Sequence, residues 1–149
     1  MAKKTAVFLE CIAEKLGEIS DHWEQHLNTA TGEFVALSDG LYIETDEELA
    51  DIIYSSCDYV RLPNQYDIHE YKIMENFAEA TPDVYKRKQL FHALNGKKPF
   101  RHFKDTLNFT GLVEAYYAFR FLTFLEIARE WCEQNDIPYK YCDKWEGTL

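Results

Sequence analysis

A run of cations between residues 86 and 104 has the composition of an anion-binding surface. It contains no Asp or Glu and holds seven of the sixteen Lys and Arg, namely Lys86, Arg87, Lys88, Lys97, Lys98, Arg101 and Lys104. The rest of the chain is acidic, and the formal net charge of the whole is -10. Because a local positive potential attracts anionic molecules, this basic segment predicts contact with an anionic partner, either an acidic protein or RNA.

Aromatic residues interleave with these cations, and they allow two interpretations. The rings within the segment are those of Phe91, His92, Phe100, His102 and Phe103. On an exposed face they would stack with the bases of a single strand while the cations contact its phosphates. Their helical spacing instead favours phenylalanines in the core and cations on a solvated face. The acidity of the chain also opposes tight nucleic-acid binding, and no RNA-recognition or Gly-rich phosphate-binding motif is present.

The pair His102 and Asp105 has the residue types of an acid–base dyad. Three positions apart on a predicted helix, the two side chains would lie on one face, with Arg101 next to them as an anion-binding group. This arrangement supports an alternative function, a small-anion or nucleotide-binding enzyme. No nucleophile motif accompanies the pair, so the sequence favours a protein without catalytic residues.

A single arginine, Arg120, lies in an otherwise apolar helical pattern. A buried arginine requires a partner, and Asp105 and Glu114 are the candidate carboxylates. We predict a structural ion pair between Arg120 and Asp105 that holds the last two helices together. The alternative is a buried anion site formed by Arg120 and Arg101.

The histidine and cysteine content predicts neither a metal site nor a cofactor. His22 and His26 fall on a predicted strand without a third ligand, so we expect a polar sheet face. The four cysteines form no C-x-x-C pair: Cys11, Cys57, Cys132 and Cys142. They lack the clustering that zinc requires. We expect reduced thiols, three of them in the core.

The elements that position these residues follow an α+β pattern. A helix over Thr5–Leu16 precedes a hairpin with a turn at Thr31-Gly32, a helix capped at Thr45 and a third strand near Tyr59. Four further helices are predicted, with caps at Asp67 and Thr81 and stops at Asn95-Gly96 and Asn135. We therefore expect a small antiparallel sheet packed on a predominantly helical body with a buried C-terminal helix.

At this length the chain fits one domain, predicted at 1–138, followed by a tail at 139–149. No secretory signal and no membrane span are evident, which predicts a cytoplasmic protein. The acidic run from Glu44 to Asp51 could pair with the basic segment of a second copy, which would give a homo-oligomer.

Three motifs of the second half resemble a bacterial uncharacterised protein family of the UPF type. These motifs are GKKPFRHFKDTL, AYYAFRF and IAREWCEQNDI, and they match that family's FRxFKD core, its aromatic pair and its ARxWLxxNxI ending. The first half is similar through NTATGEFVALSD and YDIHEYKIMENFAE. The likeness covers about residues 20–137 and departs from the pattern at Tyr116, where many members have Trp, and at Cys132. It implies no catalytic residues, so a non-catalytic binding, adaptor or regulatory module is the leading expectation.

Overall fold

The structure is a computed structural model that describes residues 4–18, 22–40 and 46–141. The helices, in chain order, are α1 Leu9–Gly17, α2 Glu47–Ser55, α3 Gln65–Ile68, α4 Glu70–Ala80, α5 Val84–Leu94, α6 Pro99–Thr110 and α7 Val113–Gln134. The strands are β1 Val7–Phe8, β2 Trp23–Asn28, β3 Phe34–Ser38, β4 Tyr59–Arg61 and β5 Tyr139–Lys140. A small antiparallel sheet with a mainly helical remainder confirms the predicted α+β class.

Three of the strands form an antiparallel sheet in the order β3-β2-β4. β2 and β3 form the predicted hairpin, and Leu27 lies opposite Phe34 in its register. Gly32 occupies the turn at φ 81°, a left-handed conformation that glycine adopts without a steric penalty. β4 pairs with the other edge of β2 and confirms the predicted third strand.

The chain divides into two compact units. The sheet unit comprises Met1–Ile68 and Phe124–Leu149, and the helical unit is the continuous segment His69–Thr123. α7 begins in the helical unit and ends in the sheet unit. The basic segment lies wholly within the helical unit, so the elements of that unit alone position it.

The sheet unit also joins two distant segments of the chain through a two-stranded parallel ribbon. In this ribbon β1 pairs with β5, Val7 lies opposite Tyr139, and the Val7 N–H donates to the Pro138 carbonyl at 3.1 Å. The prediction of a helix from Thr5 was therefore wrong by four residues, because Val7 and Phe8 are extended and α1 begins at Leu9. Residues 142–149 of the predicted tail lie outside the described residues.

The helical unit has an aromatic core. Phe77 of α4 makes edge contacts with Phe103 of α6 and with Tyr116 and Phe119 of α7, at ring-centroid distances of 5.3–6.5 Å. Phe103 and Tyr116 are fully buried and contact each other at 5.2 Å. Such pairs stabilise a fold beyond the area that they bury. This core fixes α6, and with it the cations that α6 carries.

Three of the predicted helix caps were placed wrongly. Asp46, not Thr45, caps α2 by accepting a hydrogen bond from the Leu49 N–H, and Thr45 itself lies outside the described residues. α4 begins after His69, which has a φ of 55°, rather than at Asp67. Asp83 caps α5 in place of Thr81.

The cysteines differ from the expectation of three buried thiols. Cys57 is an exposed free thiol and Cys132 is a buried one, while the Cys11 side chain is exposed. Burial raises the pKa of the Cys132 thiol to about 12. Cys142 lies outside the described residues. At least two of the four cysteines are therefore exposed, where only one was expected outside the core.

Candidate functional site

The basic segment occupies two helices, α5 and α6, that pack against each other. α5 begins where the Asp83 carboxylate accepts hydrogen bonds from the Tyr85 and Lys86 N–H groups. A short turn follows, and α6 begins with Pro99 at its first position, where the missing N–H removes no helical hydrogen bond. α6 ends at Gly111 in the left-handed conformation. Specific residues therefore set the starts of both helices and the end of α6.

The cations of the segment are accessible and unpaired. Lys88, Lys97, Lys98, Arg101 and Lys104 are exposed, while Lys86 and Arg87 are half-buried. Within residues 4–18, 22–40 and 46–141, no carboxylate forms an ion pair with any of the seven. Their positive charge is therefore not neutralised by ion pairs within the described residues. It is accessible to an external anion.

A groove of about 780 Å³ lies between the two helices. Its α5 wall is formed by Tyr85, Lys88, Gln89, His92 and Ala93. Its α6 wall is formed by His102, Asp105, Thr106 and Phe109. The volume falls within the range of roughly 300–1,000 Å³ that is typical of ligand pockets. The groove thus brings four rings, one cation and one carboxylate together.

Some aromatic side chains of this region are buried and others are exposed, so each of the two interpretations applies to only some of them. Phe103 is fully buried, as the core interpretation requires, and Phe91 is half-buried. Phe100 is 47% exposed, and its ring contacts Tyr71 at 6.4 Å. Neither interpretation covers all of the rings, because the two helices present different faces to core and solvent.

Sequence reasoning missed the two rings that are most exposed in the groove. Tyr85 is 72% exposed and Phe109 is 82% exposed. A signal was present for Phe109, because the buried residues of α6 are Phe103, Leu107 and Thr110, and position 109 lies outside that spacing. Large aromatic side chains at such exposure are candidates for contact with a ligand.

His102 and Asp105 both line the groove, as their spacing predicts. The hydrogen bonds of the described chain include none between them. Arg101 is exposed and is not among the residues that form the groove wall. Two of the three residues of the enzyme alternative therefore line the groove, and the third lies outside its wall.

The predicted ion pair of Arg120 with Asp105 was wrong, because Arg120 pairs with Glu70. Arg120 Nε donates to Glu70 Oε1 at 2.8 Å, and both side chains are three-quarters buried. The Arg120 guanidinium also lies 5.9 Å from the centroid of the Tyr117 ring. Asp105 was the expected partner because it belongs to the family-like FRxFKD core, whereas the carboxylate within hydrogen-bond distance is that of Glu70 on α4. The ion pair therefore connects α7 to α4.

The same oxygen of Glu70 accepts a second hydrogen bond, from the Tyr116 hydroxyl at 2.9 Å. Burial raises the pKa of the Tyr116 phenol well above its usual value, and the adjacent Glu70 carboxylate raises it further. The hydroxyl therefore remains a donor at all ordinary pH values. This contact fixes the first turns of α7 on α4 and supports the aromatic core beneath the groove.

A second polar cluster lies in the sheet unit around Glu24. Its carboxylate accepts a hydrogen bond from the Tyr54 hydroxyl at 2.6 Å and lies 3.4 Å from His26 Nε2 and 3.6 Å from an Arg61 nitrogen. The Tyr54 hydrogen bond is the main cause that lowers the pKa of Glu24. His26 is 3% exposed, so the expected polar sheet face was wrong for this residue.

No metal-binding geometry is present in the described residues. Across 4–18, 22–40 and 46–141, no group of three or more His, Cys, Asp and Glu is arranged to hold an ion. His22 instead hydrogen-bonds Asp39 at 3.0 Å. In the same residues, no helix is both long enough and apolar enough to cross a bilayer.

Comparison of the chain with protein-family models, with curated proteins and with solved structures finds no match. The resemblance to the UPF-type family stays a prediction. The function is therefore inferred only from the geometry of α5, α6 and the turn between them, which together form the α5–α6 face.

Proposed function

We propose that the protein is a non-catalytic binding module, of the adaptor or regulatory type, whose α5–α6 face contacts an anionic partner. One observation carries this proposal: seven cations, none of them in an ion pair within the described residues, lie on two packed helices and the turn between them. The helical unit holds nine basic and six acidic residues, whereas the rest of the chain holds seven and twenty. Because charge of one sign is concentrated on one unit, an anion is steered to that unit.

The competing candidate is an enzyme or small-anion binder centred on His102, Asp105 and Arg101. The groove favours it in one respect, since His102 and Asp105 line the same wall. The absence of a hydrogen bond between them disfavours it, because a general base is normally oriented by such a partner. The two candidates differ in ligand size: an enzyme would bind phosphate or a mononucleotide, and a binding module requires an extended polyanion.

The proposal includes a cytoplasmic location and membership of the bacterial UPF-type family. The exposed free thiol of Cys57 supports a reducing compartment, where such thiols persist. A second copy of the chain is a further candidate partner, because Asp46, Glu47, Glu48 and Asp51 of the predicted acidic run are exposed.

The test compares two variants that remove the same charge from different surfaces. One replaces Lys97, Lys98 and Lys104 by alanine, and the matched control replaces Lys15, Lys72 and Lys140. We expect the first variant to bind a polyanion roughly tenfold more weakly than the wild type, since each lost cation removes up to about 1 kcal/mol. The control should bind almost as well as the wild type.

The measurement is fluorescence anisotropy with labelled single-stranded RNA and, separately, labelled poly-glutamate, each at low and high salt. Binding of either probe that weakens with salt and is selectively lost in the first variant supports the proposal. Equal loss in both variants would show a non-specific charge effect and contradict it. Failure of both probes to bind, together with a mass that does not change with concentration, would also contradict it.

A further inference from the structure

We infer that the anionic partner is single-stranded RNA, whose bases stack in the α5–α6 groove on Tyr85 and Phe109. This inference rests on the proposed function and specifies the partner. It adds one observation that charge alone does not explain: the most exposed rings of the helical unit lie in the groove itself.

The exposure of these rings is the first step. Tyr85 and Phe109 are 72% and 82% exposed, and they come from different helices on the two walls of one groove. Exposed aromatic faces are unfavourable in water unless a partner covers them. A nucleobase is a flat π-system that stacks on such a face, and stacking is worth about 1–3 kcal/mol per base.

The distribution of charge around the groove is the second step. Lys88 is the cation of the α5 wall, and four exposed cations lie along the turn and α6 outside the wall: Lys97, Lys98, Arg101 and Lys104. A single strand has the same separation of parts, because its bases are apolar and its phosphates carry the charge. The rings therefore match the bases, and the flanking cations match the backbone.

The polar lining of the groove is the third step. His92 and His102 add two more rings, and Gln89, Asp105 and Thr106 supply hydrogen-bonding groups. Carboxylates and amides of this kind recognise base edges, and an acceptor such as Asp105 can receive a hydrogen bond from a ribose 2′-hydroxyl. The carboxylates of an acidic peptide would not stack on the rings and would be repelled by Asp105 in the wall, whereas an RNA strand presents uncharged bases to the wall and keeps its phosphates outside. The groove thus favours RNA over an acidic protein.

The test separates the rings from the charges. We expect the double substitution Tyr85→Leu and Phe109→Leu to weaken binding of a fluorescein-labelled uridine oligomer of about 12 nucleotides by at least roughly tenfold, because two stacking faces are lost. Both residues are exposed, so folding should be retained, and circular dichroism checks this. Tyr85→Phe keeps the ring and should bind as the wild type does.

A matched control removes two exposed rings elsewhere, by Trp23→Leu and Tyr66→Leu, and should leave binding unchanged. A duplex of the same length should bind more weakly than the single strand, since its bases are already stacked. Equal affinity for the duplex, or no effect of the double substitution, would overturn the RNA inference. If poly-glutamate binds and the oligomer does not, the inference also fails, while the proposed binding of an anionic partner stands.

Discussion

A single oxygen atom, Oε1 of Glu70, accepts hydrogen bonds from both Tyr116 and Arg120. The neutral donor is fully buried, and the charged donor is three-quarters buried. Because a buried donor without an acceptor costs about 1–3 kcal/mol, Glu70 stabilises the contact between α4 and the start of α7, together with the aromatic contacts of Phe77. This pairing was not predicted from the sequence, since nothing in the spacing of Glu70 relates it to a helix fifty residues later.

We expect Tyr116→Phe to lower the free energy of unfolding by about 1–2 kcal/mol at neutral pH, because the hydrogen bond to Glu70 is lost. The difference should shrink above pH 10. Burial raises the pKa of Tyr116 in the folded state, so the phenol ionises first in the unfolded chain. The stabilisation is therefore complete below pH 10 and is lost as the pH rises further.

Urea unfolding of the wild type and of Tyr116→Phe at about pH 7 and about pH 11 measures this effect. All other tyrosines, including Tyr54 and Tyr139, are common to both proteins and cancel in the difference. A stability difference that is the same at both pH values would show that Tyr116 does not titrate as its burial requires.

At the scale of elements, the predicted cap of α5 was wrong by two residues. Thr81 and Pro82 have the residue types of a cap and a first helical position, yet the Thr81 hydroxyl donates to the Phe77 carbonyl at the end of α4. Asp83 supplies the cap instead, through its hydrogen bonds to Tyr85 and Lys86. Two residues that are two positions apart thus serve two different helix ends.

Asp83→Ala should destabilise the helical unit by about 1 kcal/mol, since the two N–H groups at the start of α5 lose their acceptor. Asp83→Asn retains an acceptor oxygen and should lose much less. Urea unfolding of both variants measures the difference. If the alanine and asparagine variants lose the same stability, the role of Asp83 is electrostatic and not that of a cap.

The sequence predicted the elements well where the pattern is local. The hairpin, the third strand, the end of α5 and the end of α7 follow from turn residues and periodicity, which depend on nearby positions only. The β1–β5 ribbon could not be predicted, because two residues at each side of a parallel pair leave no periodic pattern. The exposure of Leu122 and Tyr117 on α7 was missed for a related reason: a helix that is apolar nearly all round does not reveal which side its neighbours cover.

The site was predicted in part. The cations and the pair His102 and Asp105 were named from composition and spacing, and the structure places this pair in one groove. Tyr85 and Phe109 were not named as exposed, and the partner of Arg120 was wrong. Both failures concern which helices pack together. That is a property of the tertiary structure, which the composition and charge of a short segment do not reveal.

At the scale of the whole molecule, charge is the property that separates the two units. The sheet unit, with twenty acidic and seven basic residues, accounts for the acidity of the chain, and the helical unit is net positive. Like charges within one unit repel each other, and dissolved salt screens this repulsion. Salt therefore has opposite effects on folding and on anion binding.

We expect the free energy of unfolding to rise between about 20 mM and about 500 mM NaCl, while the affinity for a polyanion falls. A variant with Glu14→Gln, Asp51→Asn and Glu130→Gln removes three exposed acidic charges and should show a smaller gain. Urea titrations at the two salt concentrations provide the measurement. A free energy of unfolding that falls with salt in the wild type would contradict this account.

The parallel ribbon between Val7 and Tyr139 has a consequence for the order in which the molecule folds. The helical unit is one continuous segment, and its contacts form without waiting for later residues. The sheet unit is interrupted by it and acquires β5 only after position 139 has been synthesised. Because contacts between distant residues form slowly and segments that emerge first fold first, we expect the helical unit to be folded on the ribosome while the sheet unit is still incomplete.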